Sequence, residues 1–219
     1  MKFSDRLLRE TKNIWNQAVE KPFVIGMAKG TLDTDLFKNY MIQDYLYLKD
    51  YIGILKQMLS MTEDAKLRSF LADTIKSTEY ETYKVHMKNL RDLDIRDEDI
   101  SNCKMKKVIS DYVSYMNNQL NNYGIISGLT ALLQCSWNYA YIADIVSERY
   151  NDELKSSPYK SWFDAYTDSS YKKANDLWIK ALDDRADNDN IDGKEADRLC
   201  DVFKTCAYYE NKLWECFWI

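Results

Sequence analysis

The sequence predicts an all-α protein, a single-domain helical bundle. Only 6 Gly and 2 Pro occur in 219 residues, too few turn residues for a sheet-rich chain. Apolar residues in the longest segments recur at spacings of three and four, as Leu199, Phe203, Cys206, Leu213 and Phe217 do, which is the period of a helix face. No internal repeat and no low-complexity linker divides the chain. Its 46% of hydrophobic residues are enough to close one core, and residues 1–219 are read as one domain.

Taken in order, Ser4 to about Val19 forms a first helix that ends before Pro22. "GMAKG" is the connection, and Thr31 or Asp33 caps a long second helix running to about Met61. A third helix starts at Thr62 or Asp64 and reaches Leu90, followed by an acidic loop, "RDLDIRDEDI". Residues 101–110 carry no clear period. Asp111 to about Leu120 is helical, "NNYG" breaks the chain, and Ile125 to about Arg149 is an uncharged central helix. Pro158 opens a helix or helix pair reaching about Asp184, since a first-turn position has no use for the missing N–H. The last helix runs from Lys194 to near Ile219, with Asp192 and Glu195 spaced as a capping box.

Several function classes are disfavoured at this point. A net charge of −5 gives no broad basic surface for phosphates, so nucleic acid is not an expected partner. No charge occurs between Gln119 and Ala143, but Asn121, Asn122, Gln134, Ser136 and Asn138 interrupt that run, and a central buried helix is expected rather than a membrane span. Cys103, Cys135, Cys200, Cys206 and Cys216 are odd in number and irregular in spacing. With "MKFSDRLLRE" too charged for a secretory signal, reduced thiols in a cytoplasmic protein are expected. His86 is the only histidine, so a His-rich metal site cannot be built and a haem would hang on one residue. "NDNIDGKEADRL" resembles a calcium loop at Asn188, Asn190, Asp192 and Gly193, yet Leu199 stands where a bidentate Glu is needed. No metal and no cofactor is expected.

Two carboxylates stand on apolar stripes. Asp44 lies among Phe37, Met41, Leu48, Tyr51 and Leu55, and Glu210 occupies the step between Cys206 and Leu213. An acid facing a core must be paired, hydrogen-bonded or useful in an altered protonation state. On the central helix, Leu132, Cys135, Tyr139, Ile142 and Val146 form a stripe that includes a thiol. Singly, such a Cys is core filler, and Tyr47, Tyr112, Tyr139 and Tyr166 are core aromatics. Two acids and a thiol from three helices can instead converge on a pocket whose tyrosines orient them.

The chain resembles the thiaminase II family, the TenA-type aminopyrimidine aminohydrolases, over nearly its whole length. The resemblance rests on "KPFVIGMAKGTLDTDLFKNYMIQDYLYL", "ALLQCSWNYAYI", "YKSWFDAYTDSSY" and "CAYYENKLWECFW", in that order. It implies a haem-oxygenase-like helical fold and a homotetramer. By the same resemblance Cys135 is the nucleophile and Glu210 the acid and base, while Asp44 holds the aminopyrimidine through its ring nitrogen and exocyclic amine. Tyr112 and Tyr139 position the Cys and Glu, and Tyr47 and Tyr166 line the substrate site. The implied reaction converts 4-amino-5-aminomethyl-2-methylpyrimidine to the hydroxymethyl pyrimidine and ammonia, with thiamine as a second substrate. Desolvation is expected to raise the pKa of Glu210. Two stretches depart from the family pattern: "CKMKKV", and the ending "NKLWECFWI", which has Leu213 and Cys216 behind Glu210. A binding protein of the same fold that holds a pyrimidine without turnover is the competing reading, and it has no need of Cys135.

Overall fold

The computed structural model describes residues 2–218. The helices are α1 (Phe3–Val19), α2 (Pro22–Lys29), α3 (Thr34–Ser60), α4 (Ala65–Tyr80), α5 (Met87–Asp92), α6 (Asp97–Asn102), α7 (Lys107–Tyr123), α8 (Ile125–Arg149), α9 (Asn151–Leu154), α10 (Lys160–Thr167), α11 (Ser169–Asn188) and α12 (Gly193–Cys216). A π-helical segment, Glu81–His86, joins α4 to α5, and no strand occurs among the described residues. The fold is all-α, as the sparse Gly and Pro predict. The helices form two compact units, Met1–Leu32 with Ile126–Ile219, and Asp33–Ile125.

In the first unit α1 lies along α12. Arg6 meets Asp197, Glu10 lies 3.6 Å from Lys204, and Asn211 Nδ2 donates to the Ile14 carbonyl at 3.0 Å. Contact positions rise together along both helices, so the two run in the same direction. Leu7, Ile14 and Trp15 of α1 and Leu199, Phe203 and Cys206 of α12 are buried. At the start of α1, the Ser4 N–H and hydroxyl donate to the two oxygens of Asp183 at 2.9 and 2.8 Å. That carboxylate satisfies a first-turn N–H and sits at the positive end of the helix dipole. The expected capping box of α12 is half formed. Asp192 accepts from the Glu195 N–H at 2.8 Å, but Glu195 turns to Arg198, which offers two charge-assisted bonds in place of one backbone N–H.

The "GMAKG" stretch is a correction. Met27 and Ala28 are buried in α2, which starts with Pro22 at its first turn and ends on Gly30 in the left-handed conformation at φ 67°. A short helix hid in what reads as a connection because Pro22 marks a start as readily as a stop. Its end is pinned from afar: the Ser157 hydroxyl donates to the Met27 carbonyl at 2.6 Å and Tyr159 OH to the Leu32 carbonyl at 2.8 Å. Pro158 accordingly lies in a turn before α10, and Asp168 caps α11 by accepting from the Ser170 N–H at 2.7 Å.

In the second unit α3 is central. Asp33 caps it, accepting from the Asp35 N–H at 2.7 Å, and Asp64 caps α4 through the N–H groups of Lys66 and Leu67. The buried positions Leu67, Leu71, Ile75, Thr82, His86 and Leu90 recur more slowly than an ideal α-helix turns. The wider π segment absorbs the excess residue and keeps them on one face. The ambiguous stretch 101–110 resolves into the end of α6, an extended passage and the start of α7. Buried Gln43 of α3 holds that passage, donating to the Lys104 carbonyl at 2.9 Å and accepting from the Lys106 N–H at 2.7 Å.

Gly30 tests the first unit. A Cβ there falls 3.2 Å from Pro158 Cδ and 3.3 Å from Ser157 Cα, in a backbone region L-residues disfavour. Gly30→Ala is expected to lower stability by about 1–2 kcal/mol or more, read as a reduced urea midpoint, while Gly53→Ala, with open space around its Cβ, serves as the control expected to hold or raise it.

Candidate active site

The predicted residues fall into two groups, one in each unit. In the second unit, Asp44 and Tyr47 stand on α3 and Tyr112 on α7. The rings of Tyr47 and Tyr112 stack with centroids 5.8 Å apart and planes 21° apart, and Tyr51 tilts against Tyr47 at 5.9 Å. Tyr47 OH reaches the sulfur of Met116, which is buried one turn after Tyr112. Asp44 lies one turn before Tyr47, and its side chain is 11% exposed. Its expected stripe is largely found, with Phe37, Met41, Tyr51 and Leu55 buried and Leu48 half-buried.

Burial pushes the Asp44 carboxyl up to about 6; His86 opposes this and the charge of Glu81 adds to it. The His86 ring is the partner set beside it, with Nδ1 3.7 Å from Asp44 Oδ2 and Nε2 2.8 Å from the Met41 carbonyl. The sequence reading missed this role for His86. The available signal was its place in the buried series Thr82, His86, Leu90, facing the same helix that carries Asp44.

In the first unit, Cys135 and Tyr139 stand one turn apart on α8. Cys135 is half-buried, and the five cysteines carry thiols rather than disulfides. Tyr139 is the hub of an aromatic cluster: its ring lies 5.1 Å from Tyr166 in a T-shaped contact, 5.8 Å from Trp162 and 5.4 Å from Trp214. Trp162 packs on Tyr166 at 4.6 Å, so α8, α10 and α12 are locked by rings with few rotamers to lose. Glu210 is 0% exposed and lies one turn before Trp214 on α12. The cluster therefore ties Tyr139 and Tyr166 to the helix that bears Glu210. Trp162 and Trp214 were not singled out from sequence, where a Trp at helical spacing reads as ordinary core. Asn138 was also missed: its amide is buried three residues beyond Cys135 with neither amide atom hydrogen-bonded.

Among the described residues, no three His, Cys, Asp or Glu side chains are grouped to hold a metal ion, and no helix is long and apolar enough to cross a membrane. The group in the first unit offers a half-buried thiol with a tyrosine one turn on and a wholly buried carboxyl, and that in the second a carboxyl whose pKa burial raises. A thiol and a buried acid within one unit are groups that can deliver a nucleophile and move a proton.

The model of the TENA/THI-4/PQQC family matches residues 8–218. An aminopyrimidine aminohydrolase of Helicobacter pylori is 27% identical over 216 residues, covering 98% of each chain. Among solved structures, a TenA homologue from P. horikoshii OT3 superposes with a TM-score of 0.84 at 29% identity, covering 100% of this chain and 99% of the other. A domain with a heme oxygenase-like fold from Shewanella denitrificans gives 0.70 at 16% identity, covering 98% and 91%, a likeness of fold alone.

The raised pKa of Asp44 carries a stability prediction. A carboxyl that ionises near 6 when folded, against 3.8 as an ordinary Asp, penalises the folded state by up to about 3 kcal/mol. The penalty is complete above about pH 6 and absent below about pH 4. Asp44→Asn is therefore expected to raise Tm by several degrees at about pH 8, with the gain vanishing near pH 4; an equal effect at both pH values would mean that Asp44 is paired well enough to carry no such penalty.

Proposed function

The chain belongs to the TENA/THI-4/PQQC family, and from that membership we propose that it is an aminopyrimidine aminohydrolase of thiamine salvage. It takes 4-amino-5-aminomethyl-2-methylpyrimidine to the 5-hydroxymethyl pyrimidine and ammonia, and it also splits thiamine into the same pyrimidine and a thiazole. The full-length similarity to the Helicobacter pylori aminopyrimidine aminohydrolase supports the class of reaction. The observation that carries the assignment to residues is the coupling, within one unit, of the Cys135 turn to the Glu210 turn through the Tyr139–Trp214 contact.

The chemistry proceeds in steps that these residues suit. Direct displacement at the methylene is slow at neutral pH, because the amine is a poor leaving group. Cys135 thiolate adds to ring C6 while a ring nitrogen gains a proton, which ends the aromaticity. The electrons then return toward the methylene and expel the amine, which takes a proton from Glu210 as it leaves. Water adds to the exocyclic methylene, giving its proton to Glu210, and the C6–S bond breaks as the ring nitrogen gives up the proton it had gained, restoring the ring and the thiolate. Asp44 holds the ring edge, Tyr47 and Tyr166 lie against the substrate, and Tyr112 and Tyr139 orient the Cys and Glu. All 219 residues act as one functional domain.

No metal or cofactor enters this scheme. The reduced thiols fit a cytoplasmic location. A homotetramer is the proposed assembly, with exposed Tyr208, Leu177 and Trp218 as apolar surface for it. Light scattering on the purified protein tests this, and a monodisperse monomer at micromolar concentration would remove the assembly from the proposal.

The deciding assay incubates the protein separately with the aminomethyl pyrimidine and with thiamine, and measures the shared hydroxymethyl product with ammonia or thiazole. Cys135→Ser is expected to bind the pyrimidine as the wild type does but to lose about a thousandfold or more in kcat. Stoichiometric binding without product in the wild type would move the chain to the pyrimidine-binding reading instead. Glu210→Gln keeps the shape but cannot transfer a proton, so kcat is expected to fall by about 10²–10⁴ with little change in KM or Tm. An unaltered rate and pH profile in that variant would require another acid.

A further inference from the structure

His86 has no role in the scheme above, yet its surroundings are specific. It is the only histidine, 6% exposed, and it closes the π segment. Its Nε2 lies 2.8 Å from the Met41 carbonyl, on the turn of α3 that precedes Asp44. A carbonyl only accepts, so Nε2 carries a hydrogen and the orientation of the ring is settled. The other nitrogen, Nδ1, then faces Asp44 Oδ2 at 3.7 Å, beyond a hydrogen bond but within the range of an ion pair. We propose that His86 is a positioning residue of the pyrimidine site: anchored on Met41, it turns Nδ1 toward Asp44 and keeps that carboxyl ionised and aimed at the ring.

The inference rests on the reading of Asp44 as the residue that holds the aminopyrimidine. The edge of a 4-aminopyrimidine presents an amine donor beside a ring nitrogen lone pair. A neutral carboxylic acid matches it without activating the ring, because the proton stays on oxygen. A carboxylate matches it only when the ring nitrogen itself takes a proton from water and returns it as an N–H···O bond. The protonated ring is the better acceptor for a thiolate, since electrons entering at C6 are drawn toward the charged nitrogen. In this exchange an O–H bond of the solvent donor breaks as the ring N–H forms, the conjugate base passing to bulk water, and no other bond changes. Burial by itself drives Asp44 toward the neutral acid, and His86 is the group that opposes it.

The other charges around the pair are few. Glu81, at the start of the π segment, acts against ionisation of Asp44. Tyr45 lies 6.1 Å from the His86 ring, with Tyr83 and the Lys49 ammonium against it and Asp97 of α6 acting on it. On α5, Lys88 is paired with Asp92, and on α7, Lys107 with Asp111. His86 and Glu81 therefore act on Asp44 in opposite senses, and this gives the test its sign.

Activity is expected to fall as pH drops through the Asp44 ionisation, giving the pH profile an acid limb near 6. His86→Gln retains an amide where Nε2 stood, so it can still donate to Met41, but it cannot carry charge. In this variant the acid limb is expected to move up by about one pH unit, with kcat near pH 6 about fivefold lower and KM nearly unchanged. Glu81→Gln is expected to move the same limb down by a few tenths of a unit. An unmoved limb in a His86→Gln protein of wild-type Tm overturns the proposal. If that variant fails to fold, the lone imidazole still decides. In ¹⁵N spectra of tag-free protein, Asp44→Asn is expected to displace the Nδ1 resonance and its pH dependence while Nε2 remains protonated, and an unchanged Nδ1 signal overturns the proposal. A wild type that turns over no pyrimidine would sink the proposed function, while the Nδ1 coupling would still report on the His86–Asp44 pair.

Discussion

Keeping a carboxyl away from water is the constraint around which each unit is arranged. An acid loses its hydration on burial and then either gives up its charge or finds a partner. In the second unit α3 carries Asp44 on a face otherwise given to Phe37, Met41, Tyr51 and Leu55. The chain tolerates this by bringing the only histidine alongside. That placement in turn requires the π segment, since without the wider turn His86 and Leu90 would drift off the face that Leu67, Leu71 and Ile75 establish. One buried acid thus accounts for an irregular helix and for the location of the only imidazole.

The first unit meets a related demand in another way. Glu210 sits wholly out of water on α12, and the neighbourhood is built of rings. Tyr139, Tyr166, Trp162 and Trp214 interlock in T-shaped and tilted contacts, and such rings hold position at a small entropic cost. Rigidity here suits the acid–base role proposed for Glu210, because a proton donor displaced by an ångström loses much of its effect. Behind the cluster, α1 and α12 run side by side with Asn211 pinned to the Ile14 carbonyl. The turn bearing Glu210 is held on two sides by this means.

Stability and function pull apart at Asp44. Its pKa near 6 means that the ionised form the proposed reaction calls on is the form the fold resists. Sites of this kind are a common source of lost stability in enzymes, since a group kept in an awkward state cannot relax into its own best contacts. The proposed addition of sulfur to the ring calls for a thiol one turn before Tyr139, from which a protein that only bound the pyrimidine would gain nothing.

Much of this molecule was legible in the chain. The helical class followed from the scarcity of Gly and Pro, and α8 spans Ile125–Arg149 as read from the chain, because local hydrogen bonding and a side-chain period are properties of neighbouring residues. The caps at Asp33, Asp64 and Asp192 were visible for the same reason. The inward acids Asp44 and Glu210 stood out as breaks in a period. Contacts distant in sequence left no such trace. That Gly30 ends a helix against Ser157 and Pro158, that Gln43 clasps the passage before α7, that Glu195 prefers Arg198 to its own capping box, and that His86 reaches back 42 residues in sequence to Asp44 depends on which surfaces meet when the helices pack. Sequence period says which face of a helix turns inward; only the packed helices determine which side chain stands opposite it.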